Sequence, residues 1–302
     1  MKNITIGYLN YWDEKKDLFY EIIKHNLNVN IKKVKYTENP FFLIVSVYGK
    51  IKKVKNIKAK YKIFYTGENT DSGNFGQFND KNLYEIFDLI IGFKKQDLSK
   101  KQINFPLWLY IWSRDKKIYN YNEEYNILKD IEKNNIKNLK KKKNMFATMV
   151  STHDDCNNIR SKICDEVGKY GKIMYPSKFR NNTKKIPNTG NRWSDKINYI
   201  SNSIYNICPE NSKGEGYFTE KIFNAFEAGT IPIYWAVNYP EPDIINKNRL
   251  FMVDLDNIYK INDVIINKDK YTKEPLWVNG SCKYLKNLYD TLIENFRKFI
   301  LT

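Results

Sequence analysis

Carboxylates, lysines, asparagines and a tyrosine crowd one stretch of the chain, NICPENSKGEGYFTEKIFNAFEAG, from Asn206 to Gly229. Thr219 suits a helix N-cap and Gly229 the residue just past a helix end. Ile222, Phe223 and Phe226 between them recur at helical spacing and predict a buried stripe. The free N–H groups of the first turn and the positive end of the helix dipole suit an anion. Gly214 and Gly216 let the backbone approach a ligand closely. Lys221 falls in the first turn, where a lysine opposes the dipole, so a bound negative charge is the natural compensation. Glu220 either favours the dipole or accepts hydrogen bonds from sugar hydroxyls. The pattern predicts a phosphate-bearing ligand at the carboxyl edge of a sheet, where doubly wound folds bind nucleotides. The competing reading is an ordinary capped helix between two strands. Neither the Walker lysine pattern nor the dinucleotide glycine fingerprint is present.

The elements needed to hold such a loop are legible on both sides of it. Strand-like stretches occur at Ile4–Leu9, Ile31–Tyr36, 40–49, 61–69 and 87–93, with a helical pattern over Glu14–Asn26 through Leu18, Phe19, Ile22 and Ile23. The continuous apolar run PFFLIVSVYG (40–49) suits a strand buried on both faces. Strands alternating with helices predict a doubly wound parallel sheet. A polar stretch follows, with a helix expected within Glu123–Lys143 on Tyr125, Leu128, Ile131 and Ile136, ending in KNLKKKKN. That lysine run reads either as a solvated helix end or as a contact for phosphates or a membrane surface. Alternation resumes with a strand at 145–151, a helix at Ile159–Tyr170, a strand at 172–177, a strand leading through 197–211 into the opening motif, and a strand at 230–236. The expected domains are 1–143, with the basic linker, and 144–302. The terminal helix carries Leu285, Leu288, Leu292 and Phe296; it packs on a domain, with room left for packing back on the first one, or lies on a membrane surface.

Composition bounds the function classes. The 302 residues carry 42% hydrophobic and 15% aromatic side chains, enough for packed cores and unlike a disordered chain. The formal charge of +17 (51 Lys+Arg against 34 Asp+Glu) suits an anionic partner, although the Lys-, Asn- and Ile-rich usage also fits an AT-rich genome. Cys156, Cys164, Cys208 and Cys282 form no C-x-x-C pair, and His25 and His153 lie far apart, so no metal site is expected. Neither a signal peptide nor a run of roughly 18 apolar residues is visible. The expectation is a cytoplasmic protein, with peripheral membrane contact left open. The Asn-x-Ser/Thr triplets at Asn3, Asn181 and Asn279 then carry no meaning.

The segment ENSKGEGYFTEKIFNAFEAGTIPIYW resembles the signature of the alpha-1,3/1,4-fucosyltransferases, glycosyltransferase family 10, most like the bacterial soluble members. The match is gapless over some two dozen residues. Upstream, FYTGEN (64–69), FDLIIGF (87–93) with INFPLWLYIW (103–112), and PSKFRNN (176–182) are similar to further family segments. The resemblance covers roughly residues 60–255. It implies an α/β fold of GT-B type, with two Rossmann-like domains facing across a cleft. GDP-fucose would be held by the C-terminal domain and a glycan acceptor by the N-terminal one. It further implies that Glu68 matches the family's proposed base. Arg180, Asn211, Tyr217, Glu220 and Lys221 would bind the donor, with Glu210 and Thr219 in support. No cofactor or metal is implied: Arg180, Lys221 and the helix N-terminus would oppose the charge developing on the leaving GDP.

The implied reaction is an inverting single displacement, moving L-fucose to an acceptor hydroxyl, on N-acetylglucosamine or a related sugar. The alternatives are a GT-B enzyme using another nucleotide-linked deoxy sugar, and a basic nucleic-acid-binding protein. The latter lacks any familiar binding motif, so no specific nucleic-acid partner is expected. DLD (Asp254–Asp256) looks like the Asp-x-Asp metal motif of other glycosyltransferases but is expected to be incidental. HDD at 153–155 reads as a helix-start signal after a strand and only weakly as a donor- or acceptor-site candidate. Pro209 and Ala236 depart from residues common in the family, where an aromatic and a glycine stand.

Overall fold

The computed structural model describes residues 1–302 except 13, 15, 16, 72, 95, 96, 98–100 and 155–157. Asp155 of the 153–155 motif and Cys156 therefore lie outside the described residues. The chain forms two compact units. The first comprises Met1–Ile127, Gly214–Thr219 and Cys282–Thr302; the second comprises Leu128–Lys213 and Glu220–Ser281.

In the first unit the strands are β1 (Lys2–Leu9), β2 (Val29–Lys33), β3 (Phe42–Val45), β4 (Tyr61–Tyr65), β5 (Leu89–Gly92) and β6 (Gln102–Asn104). They form one parallel sheet in the order β2-β1-β3-β4-β5-β6. Strand order reverses between β1 and β3, and such a switch point opens a crevice beyond the carboxyl ends of the strands. All four residues of β3 are buried, as a strand covered on both faces requires. Helix α1 (Leu18–Asn26) starts at Leu18, the first of its apolar residues, where Asp17 caps it by accepting from the Tyr20 N–H at 2.8 Å. Helices α2 (Ile51–Lys55), α3 (Asp80–Ile86) and α4 (Leu107–Lys116) follow. One face of the sheet packs Leu43, Val45, Phe64 and Ile90 with Ile51, Val54, Leu83 and Phe87. The terminal helix belongs to this unit: Phe296 meets Phe19 and Phe42 with ring centroids 6.0 and 5.4 Å apart, and the Tyr289 and Ser113 hydroxyls lie 2.6 Å apart.

In the second unit α5 (Ile127–Leu139), whose first residue lies in the first unit, precedes β7 (Met145–Met149), α6 (Ile159–Gly168) and β8 (Ile173–Met174). Next come α7 (Arg192–Ile200), β9 (Ser203–Ile207), α8 (Glu220–Glu227), β10 (Ile231–Tyr234) and β11 (Phe251–Met252). Short helices α9 (Ile261–Ile266) and α10 (Lys270–Lys273) come before α11 (Ser281–Leu301), the terminal helix. The sheet is again parallel, in the order β11-β10-β9-β7-β8, with its switch point between β7 and β9. The strand expected through 197–211 is corrected: residues 197–200 complete α7, capped by the Asn191 side chain, and β9 starts only at Ser203. Asp254 caps a 3-10 turn after β11, a structural use for the first residue of DLD.

Helix α8 is pinned at its carboxyl end. Asn135 and Asn138 of α5 donate to the carbonyls of Phe226 and Glu227 at 2.6 and 2.8 Å, and the Lys143 ammonium reaches the carbonyls of Ser201 at 2.8 Å and Ala228 at 3.4 Å. Part of the lysine run thus closes helix ends, and burial lowers the Lys143 pKa to about 8. This also corrects the apolar side of α5: Leu128 and Ile131 are buried, whereas Tyr125, just before the helix, and Ile136 are exposed. Gly229 ends α8 at φ +61, and a Cβ there would stand 2.6 Å from the Leu139 nitrogen. Gly229→Ala is expected to cost at least about 2 kcal/mol, from the left-handed backbone and the overlap with main chain, read as a lower thermal midpoint.

Candidate functional site

The second unit places a cluster of buried charged groups near the β7/β9 switch point. Glu210 follows β9 and is fully buried. Its carboxylate accepts from the Lys221 ammonium at 2.8 Å and from the Tyr234 hydroxyl of β10 at 2.7 Å. Its own N–H donates to the Trp235 carbonyl at 2.9 Å, so the loop is tied to the sheet. Lys221 lies in the first turn of α8 with a side chain 17% exposed. Burial alone would lower its pKa; the carboxylates of Glu210 and Glu220 and the hydrogen bond to Glu210 more than reverse this, so it is held above the ordinary lysine value. The negative charge expected from a ligand beside Lys221 is supplied here by the protein itself: the buried Glu210 carboxylate holds the ammonium at the helix start against the dipole.

Two further cations belong to this cluster, and neither was anticipated from the sequence. Arg160 of α6 is 2% exposed and bridges the two loops that flank the switch point. It donates to the Ser151 hydroxyl at 3.0 Å and the His153 carbonyl at 2.8 Å after β7, and to the Glu210 carbonyl at 3.3 Å and Asn211 Oδ1 at 2.7 Å after β9. Lys196 of α7 stands 3.7 Å from a Glu220 carboxylate oxygen. Burial pushes its pKa down, only partly opposed by Glu220. Lys221 thus pairs with Glu210 and Lys196 approaches Glu220 beside the start of α8, while Arg160 ties together the loops after β7 and β9. The signal that could have found Arg160 and Lys196 is weak: a charged residue on a helix ordinarily reads as its solvated face.

The structure brings Glu210, Asn211, Glu220 and Lys221 together. Arg180 belongs to a separate set of contacts, in an ion pair with Asp165 and with its guanidinium 5.4 Å from the Phe179 ring centre. Thr219 is buried and immediately precedes α8, the position of an N-cap. Tyr217 lies in the first unit's 214–219 segment, 2% exposed, its ring edge-on to Phe93 at 5.3 Å. Gly216 next to it adopts φ +72, and a Cβ there would press on the Phe93 carbonyl at 3.3 Å.

Glu68 also lies in the first unit, just past β4. Its N–H donates to the Thr66 hydroxyl at 2.9 Å, and its carboxylate accepts from the Tyr48 hydroxyl at 3.0 Å. A single carboxylate on a short loop beyond a parallel strand can serve as a general base for an incoming hydroxyl. Among the described residues no three His, Cys, Asp or Glu side chains converge as a metal-binding set, and no helix is long and apolar enough to cross a membrane.

Comparison with known proteins bears on both units. The alpha-(1,3)-fucosyltransferase FucT N-terminal domain matches residues 6–111, and the glycosyltransferase family 10 (fucosyltransferase) C-terminal domain matches residues 139–249. The alpha-(1,3)-fucosyltransferase FucT of Helicobacter pylori is 25% identical over 337 residues, an alignment covering 99% of this chain and 66% of that protein. The chain therefore spans about two thirds of that relative's length. A crystal structure of an alpha1,3-fucosyltransferase superposes with a TM-score of 0.66 at 20% identity, covering 97% of this chain and 91% of the other. A structure with GDP-fucose gives 0.63 at 20% identity, covering 98% and 92%, and one with GDP gives 0.64 at 21%, covering 97% and 91%. The fold is α/β of the GT-B class. With both family domains matched in order along the chain, this protein belongs to glycosyltransferase family 10, the fucosyltransferases.

Proposed function

We propose that the chain transfers L-fucose from GDP-fucose to a hydroxyl of a glycan acceptor, with inversion at the anomeric carbon and an alpha-1,3 linkage to N-acetylglucosamine or a related sugar. The observation that carries this reading is Lys221 held in the first turn of α8 by the buried carboxylate of Glu210, at the switch point of a parallel sheet. Cleavage of the fucose–phosphate bond leaves negative charge on the diphosphate and positive charge on the sugar ring. Lys221 and the N–H groups opening α8 would stabilise the former, because charges fixed in advance need no reorganisation as the bond breaks, and Arg180 would join them on leaving its ion pair with Asp165. No metal is assigned a part. Glu220 would accept hydrogen bonds from donor hydroxyls, while Asn211 and Tyr217 would border the nucleotide. Glu68 would take the proton of the attacking hydroxyl, so that a beta-linked donor gives an alpha-linked product in one displacement.

GDP-fucose and GDP-mannose titrated calorimetrically separate a fucosyl donor site from one for another GDP-sugar. Incubation with GDP-fucose and a panel of oligosaccharides should give a product one deoxyhexose heavier. Lys221→Met in a Glu210→Gln background removes the ammonium without leaving a buried carboxylate unpaired. That double variant is expected to bind GDP about 10- to 100-fold more weakly than Glu210→Gln alone, the worth of one charge-assisted contact. Equal GDP affinity in the two would remove Lys221 from the donor site.

A further inference from the structure

The first unit carries an aromatic arrangement that the donor chemistry does not use. Trp12 follows β1 and Tyr48 follows β3, so the two flank the switch point of that sheet, where the chain order leaves a crevice at the carboxyl ends of the strands. The loops are joined there by main chain: the N–H groups of Ser46 and Tyr48 donate to the carbonyls of Leu9 and Asn10, both at 3.3 Å. The Tyr48 ring is 50% exposed and meets Trp12 edge-on at 5.9 Å, with Phe75 at 6.5 Å on another side. Trp12 is stacked on Tyr11 at 4.7 Å and backed by Tyr65 and Tyr110, both at 5.5 Å.

Buried polar groups fix this cluster. Asp17, 1% exposed, accepts from the hydroxyls of Tyr8 at 2.6 Å and Tyr11 at 3.0 Å, while the Tyr11 and Tyr110 hydroxyls lie 2.8 Å apart. Burial raises the Asp17 pKa, opposed by those hydrogen bonds. Rings held in this way lose little freedom when a ligand settles on them. Tyr48 has a second contact, the hydrogen bond from its hydroxyl to Glu68. Burial, then the charge of Glu68 and that hydrogen bond, raise the Tyr48 pKa, so the phenol remains a donor.

We propose that Tyr48, braced edge-on by Trp12, forms the platform for the acceptor pyranose, and that the Tyr48 hydroxyl positions Glu68 to receive that sugar's proton. A pyranose offers an apolar face of C–H groups and a rim of hydroxyls. An exposed aromatic face takes the first, and a carboxylate at its edge takes one of the second. Tyr48 supplies the ring and orients the carboxylate, committing one oxygen of Glu68 to the phenol and leaving the other for the acceptor. The inference rests on the reading of Glu68 as the base.

The test compares wild type with Tyr48→Ala, Tyr48→Phe and Trp12→Ala, using GDP-fucose with N-acetyllactosamine and lactose as acceptors and calorimetry with GDP. Loss of the ring in Tyr48→Ala and Trp12→Ala is expected to raise the acceptor KM about tenfold or more, the loss of one aromatic contact. Tyr48→Phe keeps the ring and should leave the acceptor KM within about threefold while kcat falls about five- to tenfold, the loss of one orienting hydrogen bond. GDP affinity should stay within about twofold in all three, since these residues act on the acceptor side. An acceptor KM in Tyr48→Ala equal to wild type, or a Tyr48→Phe enzyme indistinguishable from it, overturns the platform while leaving the fucosyltransferase reading intact. A wild-type protein that binds no GDP contradicts both. A wild type that binds GDP-fucose yet fucosylates neither disaccharide contradicts the proposed acceptor and, with it, the platform, whereas normal transfer with an unchanged acceptor KM in Tyr48→Ala contradicts the platform alone.

Discussion

Glu68→Gln will lower turnover by about 10²- to 10⁴-fold, the range contributed by a general base. Gln has the shape of Glu and still accepts the Tyr48 hydroxyl hydrogen bond that now measures 3.0 Å, so the loop geometry survives. The amide cannot accept a proton. Calorimetry with GDP should therefore give an affinity within about twofold of wild type, because the substitution leaves every donor-binding group in place. Turnover within tenfold of wild type would exclude Glu68 as the base.

Glu210→Ala will destabilise the second unit by about 3–5 kcal/mol, the usual cost of removing one partner from a buried ion pair. The carboxylate is fully buried, and its loss takes one hydrogen-bond partner from both the Lys221 ammonium and the Tyr234 hydroxyl. A thermal midpoint lowered by about 10 °C is expected for that cost in a unit of this size. Glu210→Gln should lose markedly less, since the amide oxygen still accepts one hydrogen bond and no methyl-lined hole is left. A Glu210→Ala protein that melts with wild type would show that the pair contributes nothing to the position of Lys221.

Much of the fold was legible because central strands such as β3 and β10 are buried on both faces. The apolar run around Phe42–Val45 has only one comfortable home, the interior of a parallel sheet. Ile222, Phe223 and Phe226 of α8 are buried as their spacing predicted, although Asn224, Ala225 and Glu227 are buried with them, so the helix is enclosed on more than one face. Where the reading failed, tertiary contacts decided. Residues 197–200 carry strand-like Ile and Tyr, yet the Asn191 cap and the turn at Ser201 make them the end of a helix. In α5 periodicity assigned Ile136 to the core, but that side chain is half exposed while Asn135 and Asn138 are buried, because their amides close the carbonyls of α8. No hydropathy pattern announces a buried amide of that kind.

The polar crowd near α8 was likewise visible as residue types, with Glu210 and Lys221 both singled out. Their direct pairing was not, since Glu210 is eleven positions earlier and meets Lys221 only through the turn between β9 and α8. Arg160 lay further out of reach: it is fifty positions from Glu210, and only the parallel β7/β9 neighbourhood brings the two together. Tyr48 and Glu68 are a similar case, twenty positions apart and joined at the carboxyl ends of β3 and β4.

The central claim is that the leaving nucleotide's diphosphate rests on the first turn of α8. A crystal structure of the protein with GDP tests it most directly. The account predicts diphosphate oxygens within hydrogen-bonding distance of the Lys221 ammonium and the N–H groups that open the helix. GDP bound elsewhere, with that turn still closed over Lys221 and Glu210, would contradict it.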